Sequence, residues 1–181
     1  DPRLWGITTT ERHRRICARL GIHRVAGEGE GGAEGPCLLL RRDFAIDESL
    51  LRALLARPGT ILLAADVAGV TRPVAAHIMS EAVPAVAAMI RDGRLDPAGL
   101  PAGVVALGAA ELGPGFNKAL RKRATPFALQ VTPATRRAVE WRSFRESYKG
   151  ATDFVTKHLW PVPAFAVTRW CAERRLTPNT V

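Results

Sequence analysis

The sequence predicts an α/β fold in which helices cover a parallel or mixed sheet. Three short runs of nearly continuous apolar residues, at 36–41, 60–65 and 73–78, have the length and composition of buried strands. A segment with leucines at helical spacing, residues 46–56, lies between the first two runs. A succession of strand, helix and strand is typical of a sheet that is covered by helices.

The first predicted element is a basic helix. Residues 8–11, Thr-Thr-Thr-Glu, form a start signal, because a hydroxyl and a following glutamate can satisfy the free N–H groups of a first helical turn. The helix continues to Leu20, and Gly21 suits its C-terminal end. The glycine-rich residues 27–32 contain two glutamates and precede no Gly-Lys-Ser/Thr, so they are predicted as a linker rather than a phosphate-binding loop.

The middle of the chain alternates between helices and turns. Residues 46–56 carry four leucines on one face and end before Pro58 and Gly59. A further helix is predicted at residues 82–91, with Gly93 beyond it. The region at 97–115 is rich in Pro and Gly and carries no prediction of structure.

The last third begins with a short basic helix or turn at residues 115–123 and a strand at 126–131. Thr132 and Pro133 then open a long helix, because proline is favoured in a first turn, and this helix runs to about Lys149. Two shorter helices are predicted at residues 153–160 and 163–175.

All of the net charge lies in this last third. Residues 1–117 contain 13 basic and 13 acidic residues, whereas residues 118–181 contain 13 basic and 4 acidic residues, which accounts for the net charge of +9. Such a segment favours an anionic partner, which can be a nucleic acid or a surface of acidic lipids. Composition alone does not choose between the two.

The predicted long helix is amphipathic, aromatic and basic, and the helices after it carry tryptophans among basic residues. Tryptophan with flanking cations suits a membrane interface, because indole combines an apolar ring with a polar N–H and basic side chains reach the headgroups. The alternative is that these helices pack on their own domain. The residues predicted at a membrane interface are Trp141, Arg142, Arg145, Lys149, Lys157, Trp160, Arg169, Trp170, Arg174 and Arg175.

No segment of the sequence is predicted to cross a bilayer. The longest uncharged run, residues 97–110, has 14 residues interrupted by Pro and Gly, whereas a helical span needs about 20 apolar residues. The first residues show no signal-peptide pattern. Cys17, Cys37 and Cys171 are odd in number and far apart, which argues against a disulfide framework and favours a reducing, cytoplasmic setting.

Three segments carry a resemblance to a known family. They are Phe-Asn-Lys-Ala-Leu-Arg-Lys-Arg at 116–123, Ser-Tyr-Lys-Gly-Ala-Thr-Asp at 147–153 and Thr-Pro-Asn-Thr-Val at 177–181. In these segments the chain resembles the N-terminal extramembrane part of a CDP-alcohol phosphotransferase (CDP-alcohol phosphatidyltransferase) of phospholipid synthesis. Members of that family transfer a phosphoalcohol group from a CDP-linked donor, using divalent metal held by four aspartates in D-G-x-x-A-R and G-x-x-x-D-x-x-x-D. This chain lacks that motif.

The resemblance implies a division of the chain and a location. Residues 1–133 would form an α/β nucleotidyltransferase-like domain, and residues 134–181 a basic juxtamembrane segment with Pro178 and Asn179 at the entry to a transmembrane domain. The expected location is the cytoplasmic face of a bacterial inner membrane. Mg or Mn is implied for the parent enzyme, and no cofactor is predicted for this chain itself.

The resemblance also implies that the body is a Rossmann-like, nucleotidyltransferase-type three-layer sandwich in a degenerate form, followed by amphipathic juxtamembrane helices. Such domains begin with a glycine loop for the triphosphate, and residues 4–6, Leu-Trp-Gly, stand where a first strand would lead into that loop. Asp43 takes the first of two acidic metal positions, and residues 130–133 fall at the second. Because Gln130 cannot supply a negative charge, Asp43 is either a structural residue or a residual metal ligand.

The basic run near residue 120 is the most prominent local candidate site. Lys118 and Lys122 lie one helical turn apart and Arg121 flanks them, which is a geometry able to grip a phosphate group. The alternative is a solvated basic face. The residues predicted to bind phosphate, nucleotide or lipid headgroups are Asn117, Lys118, Arg121, Lys122 and Arg123.

The sequence leads to one main functional hypothesis and two alternatives. In the main hypothesis the chain is a cytoplasmic accessory domain, inactive alone, that rests on an anionic membrane and serves the phosphotransferase site of a downstream transmembrane domain. A CDP-linked donor and a second copy of the chain are further partners of this hypothesis. The first alternative is an active or nucleotide-binding cytidylyltransferase-like domain that uses Mg and CTP. The second, a nucleic-acid-binding module, is disfavoured because no helix-turn-helix, zinc or RNP signature accompanies the charge.

Overall fold

A computed structural model describes residues 1–23, 35–113, 126–147, 159–174 and 176, and these residues form a mixed α/β fold. The helices and strands alternate irregularly along the chain. In order they are β1 (Arg3–Leu4), β2 (Ile7–Thr8), α1 (Thr9–Arg19), β3 (Pro36–Leu40), β4 (Phe44–Ile46), α2 (Glu48–Leu55), β5 (Thr60–Ala65), β6 (Thr71–Met79), α3 (Val83–Asp92), β7 (Val105–Gly108), α4 (Ala109–Leu112), β8 (Ala128–Gln130), α5 (Arg136–Ser147) and α6 (Pro161–Glu173).

The main sheet has four strands in the order β3-β6-β5-β7. Strand β6 pairs antiparallel with both β3 and β5, and β7 pairs parallel with β5. The three strands predicted from apolar runs are therefore confirmed, and the sheet is mixed. The fourth strand, β7, lies in the Pro- and Gly-rich region that carried no prediction, because Val105–Gly108 is too short and too small in its side chains to stand out.

Helices cover both faces of this sheet. Consecutive residues of β5 point to opposite sides, so Leu62 packs with the leucines of α2 while Ile61 packs with Val86 and Ile90 of α3. Six consecutive residues of β6 are buried, as expected for a strand that is covered on both faces. The two apolar clusters separated by the sheet form the core.

The predicted helix ends are confirmed where a capping residue marks them. The Thr8 side chain accepts a hydrogen bond from the backbone N–H of Glu11 at 3.1 Å, and Asp47 does the same for Ser49 at 2.7 Å. Helix α3 ends at Gly93, whose φ of 65° lies in the left-handed region. A Cβ at Gly93 would also lie 2.5 Å from the Arg41 guanidinium, which would have to move, so the left-handed φ is the main reason for glycine there.

A second, two-stranded sheet joins distant parts of the chain. Strand β4, which the sequence did not predict, pairs antiparallel with β8 and sets Phe44 opposite Gln130. Its three residues are completely or almost completely buried. This pairing brings the start of β4 next to the end of β8, and so places Asp43 beside Gln130.

The last two helices begin at residues that differ from the prediction. Helix α5 begins at Arg136 rather than at Thr132, because the hydroxyl of Thr135 donates to the carbonyl of Gln130 at 2.7 Å and holds residues 132–135 in a turn. Helix α6 begins at Pro161, two residues earlier than expected, and places this proline in its first turn. Within the ranges given above, no helix is both long enough and apolar enough to cross a membrane.

His13 on α1 provides a test of the packing of the N-terminal helix. Burial, together with the neighbouring charge of Arg12, lowers the pKa of His13 to about 4, although a hydrogen bond with the backbone of Phe44 acts in the opposite direction. Since this pKa lies below the ordinary value of 6.5, the unfolded chain takes up the proton first as the pH falls. The contribution of neutral His13 to the free energy of unfolding is therefore present above pH 6.5 and is lost as the pH falls from 6.5 to 4.

We expect this loss to reach about 3 kcal/mol in the free energy of unfolding. Urea unfolding of the wild type and of His13→Gln at pH 7.5 and pH 4.5 would measure it, since the variant should lose less stability over that interval. His23→Gln, at an exposed position, is the matched control. Equal pH dependence in the wild type and His13→Gln would contradict the burial of a neutral imidazole.

Candidate functional site

Helix α6 presents an apolar face to solvent. Five large apolar residues on α6 or just before it have exposed fractions of 50% to 64%. Within α6, Val167 and Trp170 are three residues apart and Val162 lies five residues before Val167, which places all three on one side of the helix, while Pro161 and Phe165 on the other side are buried. We call this surface the outer face of α6, and its residues are Leu159, Trp160, Val162, Val167 and Trp170.

The basic residues of α6 divide between two sides. The Arg174 guanidinium lies 4.0 Å from the centre of the Trp170 ring, at the C-terminal end of the outer face. Arg169 points to the body of the protein, where its Nε lies 3.0 Å from Glu173 Oε1 and 3.5 Å from Glu140 Oε2. Of the predicted interface residues on this helix, Trp160, Trp170 and Arg174 are therefore exposed, and Arg169 is engaged internally.

The aromatic residues of α5 pack against α6. The ring of Trp141 is half-buried and lies 5.0 Å from Phe165 and 6.0 Å from Phe144, measured between ring centres. Arg142 places its guanidinium 5.9 Å from the Phe127 ring. Arg145 is exposed. A membrane role for Trp141, Arg142 and Arg145 stays a prediction, and the packing of Trp141 shows that its ring also serves the α5–α6 contact.

A buried carboxylate joins α5, α6 and the N-terminus. Glu140 has no exposed surface, and its Oε1 accepts hydrogen bonds from the backbone N–H of Trp5 and from Arg136 Nε, both at 3.0 Å. Its Oε2 has no hydrogen bond and lies 3.5 Å from Arg169 Nε. Arg136 also lies 3.6 Å from Glu173 of α6. Two acidic and two basic side chains therefore alternate across the contact between the two helices.

The residues expected at a glycine loop form a tight hairpin turn. Strands β1 and β2 pair antiparallel, and Trp5 and Gly6 connect them with φ values of 53° and 77°. The Trp5 indole N–H donates to the Ser143 hydroxyl at 3.0 Å, and its ring lies 5.5 Å from Phe165. Sequence reasoning missed this role of Trp5, because its partners lie more than 130 residues away.

The two positions expected to hold metal are neighbours in the structure. Asp43 Oδ1 accepts from Arg41 Nε at 2.6 Å, and Asp43 Oδ2 accepts from Gln130 Nε2 at 3.0 Å. The amide oxygen of Gln130 accepts from the backbone N–H of Val67 at 3.1 Å. Burial raises the pKa of Asp43, but the hydrogen bonds from Arg41 and Gln130 outweigh it and hold this pKa below its ordinary value.

This arrangement uses Asp43 as a connector between β4 and β8. A carboxylate that is paired with Arg41 and bonded to an amide has little capacity left for a cation. In the part of the chain that the structure describes, no group of three or more His, Cys, Asp or Glu residues lies close enough together to hold a metal. The assignment of Asp43 as a residual metal ligand stays a prediction.

Two arginines tie this polar region to the end of α3. Arg41 donates to the carbonyl of Ile90 and Arg72 to the carbonyl of Gly93, each at 3.1 Å. Arg72 also pairs with Asp66 at 2.5 Å. The basic side chains nearest to Asp43 therefore hold a helix end and neutralise carboxylates of the protein.

A cavity of about 650 Å³ opens between the carboxyl end of β5, strand β8 and helix α5. Most of its wall is apolar, and its polar groups come from the turn after β5 and from the segment that runs from β8 into α5. Such a cavity has the size of a small-molecule site. Its polar lining residues are Asp66, Gln130, Thr135 and Arg142.

Ten of the predicted site residues lie outside the described ranges. Five belong to the basic run and five to the predicted membrane interface and transmembrane entry. They are Asn117, Lys118, Arg121, Lys122, Arg123, Lys149, Lys157, Arg175, Pro178 and Asn179.

Comparison of the chain with protein-family models, with curated proteins and with solved structures gave no match. The functional interpretation therefore rests on the residues and their geometry. It depends on two features, which are the outer face of α6 and the Asp43–Gln130 contact.

The Asp43–Gln130 contact can be tested by placing a second carboxylate there. We expect Gln130→Glu to lower the free energy of unfolding at pH 7 by about 1–3 kcal/mol, because two like charges about 3 Å apart repel each other. This repulsion raises the folded-state pKa of the pair, so the deficit should shrink as the pH falls towards 4.5. Urea unfolding in the presence of EDTA at both pH values would measure it.

The matched control is Gln130→Met, which removes the same hydrogen bonds without adding charge. Its deficit relative to the wild type should change much less between pH 7 and pH 4.5 than that of Gln130→Glu, because it loses one hydrogen bond to Asp43 but gains no like charge. A Gln130→Glu variant that behaves like Gln130→Met at both pH values would contradict the close contact.

Proposed function

We propose that this chain is an accessory domain that lies on a membrane through the outer face of α6 and positions the active site of a CDP-alcohol phosphotransferase in the same protein. The exposure of five large apolar side chains on α6 or just before it is the observation that carries the proposal. The resemblance at residues 116–123, 147–153 and 177–181 supports the enzyme family. The cytoplasmic face of a bacterial inner membrane is the proposed location.

The energetics favour shallow insertion of α6. A large apolar side chain contributes roughly 1.5–3 kcal/mol when it is moved fully out of water, and side chains that are already half covered contribute roughly half of that. Five such residues therefore supply roughly 4–7 kcal/mol before the cost of association. Two of them are tryptophans, which prefer the depth where headgroups meet acyl chains.

Charge adds attraction to acidic lipids. The excess of nine basic residues in 118–181 would contribute on the order of 1 kcal/mol for each side chain that comes near the surface. Arg174 already lies against Trp170, so its charge would reach the headgroups when the ring inserts. A nucleic-acid role fits α6 less well, because the exposed face of this helix is apolar.

The body is proposed to be a degenerate nucleotidyltransferase-type domain with a supporting role. Residues 4–6 form a hairpin turn, and Gln130 replaces the second carboxylate beside Asp43. Residues that would otherwise bind triphosphate and metal are thus engaged in contacts within the protein. Chemistry would then depend on the four-aspartate motif, which this sequence does not contain.

Nucleotide binding is the second candidate function, and the cavity beside Gln130 favours it. Isothermal titration calorimetry with CTP and with CDP, each with and without Mg²⁺, separates the two functions. The accessory role predicts no saturable heat at ligand concentrations up to 1 mM, on the order of the weakest substrate affinities of enzymes. Saturable binding that is lost in Gln130→Met would favour a nucleotide site at this cavity instead.

The membrane proposal predicts binding to vesicles through α6. We expect the chain to sediment with vesicles of phosphatidylglycerol and phosphatidylcholine, and the combined change Trp160→Ser and Trp170→Ser to weaken the partition coefficient at least tenfold, or about 1.4 kcal/mol. Raising NaCl from 0.05 to 0.5 M should weaken binding further, because salt screens the basic residues.

The matched control is the combined change Val67→Ser and Val70→Ser, which removes two large apolar side chains that are equally exposed on the β5–β6 turn. This variant should bind vesicles like the wild type. The proposal is overturned if the wild type ignores acidic vesicles at low salt, or if the two double variants bind equally well.

A further inference from the structure

We infer that the hairpin turn of Trp5 and Gly6 is a clamp that holds α6 on the protein, and that α6 detaches as one unit when the clamp is opened. The inference concerns how α6 is held, a question that the proposed function leaves open. It is drawn from the backbone of the turn, from its contacts with two helices and from the separation of α6 from the main core.

The backbone of the turn is held in a conformation that is unfavourable for tryptophan. Trp5 is the only non-glycine residue with a positive φ among the residues that the structure describes. A side chain at φ 53° is tolerated only when surrounding contacts enforce it. The contacts of Trp5 with α5 and α6 supply that enforcement.

The turn contacts both helices at once. On α5, Glu140 accepts from the backbone N–H of Trp5 and Ser143 accepts from its indole N–H, each at 3.0 Å. On α6, the Trp5 ring meets Phe165 edge to face at 5.5 Å between centres. Gly6 approaches the end of α6 so closely that a Cβ would lie 2.3 Å from the carbonyl oxygen of Ala172.

The contacts that the structure describes for α6 include those with this turn and with α5. Phe165 contacts Trp5 and two aromatic rings of α5. Two ion pairs also join the helices: Arg169 of α6 pairs with Glu140 of α5, and Glu173 of α6 pairs with Arg136 of α5. Neither apolar cluster on the two faces of the main sheet includes a residue of α6. Opening of the turn would therefore loosen α6 and leave the sheet and its helices intact.

The clamp has a consequence that rests on the proposed function. With the clamp closed, a membrane that binds the outer face of α6 also fixes the orientation of the whole domain. With the clamp open, the membrane binds α6 alone and the body can rotate relative to the membrane. The turn thereby couples the position of the body to the membrane.

Two native cysteines report on the clamp directly. Cys171 is half-buried on α6, and Cys37 is half-buried on β3 of the main sheet. We expect Trp5→Ala to increase the rate of alkylation of Cys171 by iodoacetamide at least tenfold and to leave the rate at Cys37 unchanged. Hydrogen exchange should likewise speed up in residues 162–173 and stay constant in β5 and β6.

The matched control is Trp160→Ala, the same change on the outer face, which should leave the alkylation rates of both cysteines unchanged. Gly6→Ala is a second test that keeps the indole, since its added methyl group would push against Ala172. The inference is overturned if the alkylation rate of Cys171 stays at its wild-type value in both turn variants. It is also overturned if the alkylation rate of Cys37 rises by the same factor, which would show that the turn supports the whole fold.

Vesicle binding distinguishes this inference from the proposed function. Trp5→Ala should bind acidic vesicles as tightly as the wild type, because the outer face of α6 is unchanged. If the wild type fails to bind vesicles, the proposed function fails while the thiol and exchange rates still decide whether the clamp exists.

Discussion

The position of α6 depends on one buried carboxylate. Burying the charge of Glu140 without partners would cost several kcal/mol, so its surroundings must provide positive charge and hydrogen-bond donors. The backbone of Trp5, the guanidinium of Arg136 on α5 and that of Arg169 on α6 provide them. Trp5 and Arg136 donate hydrogen bonds and Arg169 adds an ion pair at 3.5 Å, and these three partners of one carboxylate bring the N-terminus, α5 and α6 together.

This constraint explains why the helices carry aromatic rings on two sides. Rings at Trp141, Phe144 and Phe165 pack against one another where α5 meets α6. Rings at Trp160 and Trp170 lie on the side that the network leaves open. A helix that is apolar nearly all round therefore divides into an internal face and an outer face, and its direction on the body is fixed by charge.

Most of the fold could be predicted from local signals. The strands at 60–65 and 73–78 follow from apolar runs, and the helix that begins after Asp47 follows from its leucines. Strand β4 could not be predicted, because three residues between Asp43 and Asp47 are too few to show a period and gain their partner from β8. The site was predictable only in part, since tryptophans on a basic helix suit both a membrane and a packed interface, and contacts decide between them.

The Asp43–Gln130 contact and the Trp5 turn support the same interpretation of the protein body. In a nucleotidyltransferase-type domain, the first turn and two strand-end carboxylates would be kept free for ligands. Here the turn contacts α5 and α6, and the carboxylate of Asp43 accepts hydrogen bonds from Arg41 and from Gln130. Polar groups used in this way stabilise a particular arrangement of the chain, because removing either partner leaves the other unsatisfied. The groups around Trp5 hold α6 in place, and Asp43 and Gln130 join β4 to β8. A body whose polar groups are used in this way is suited to positioning another site, which is the role proposed for it.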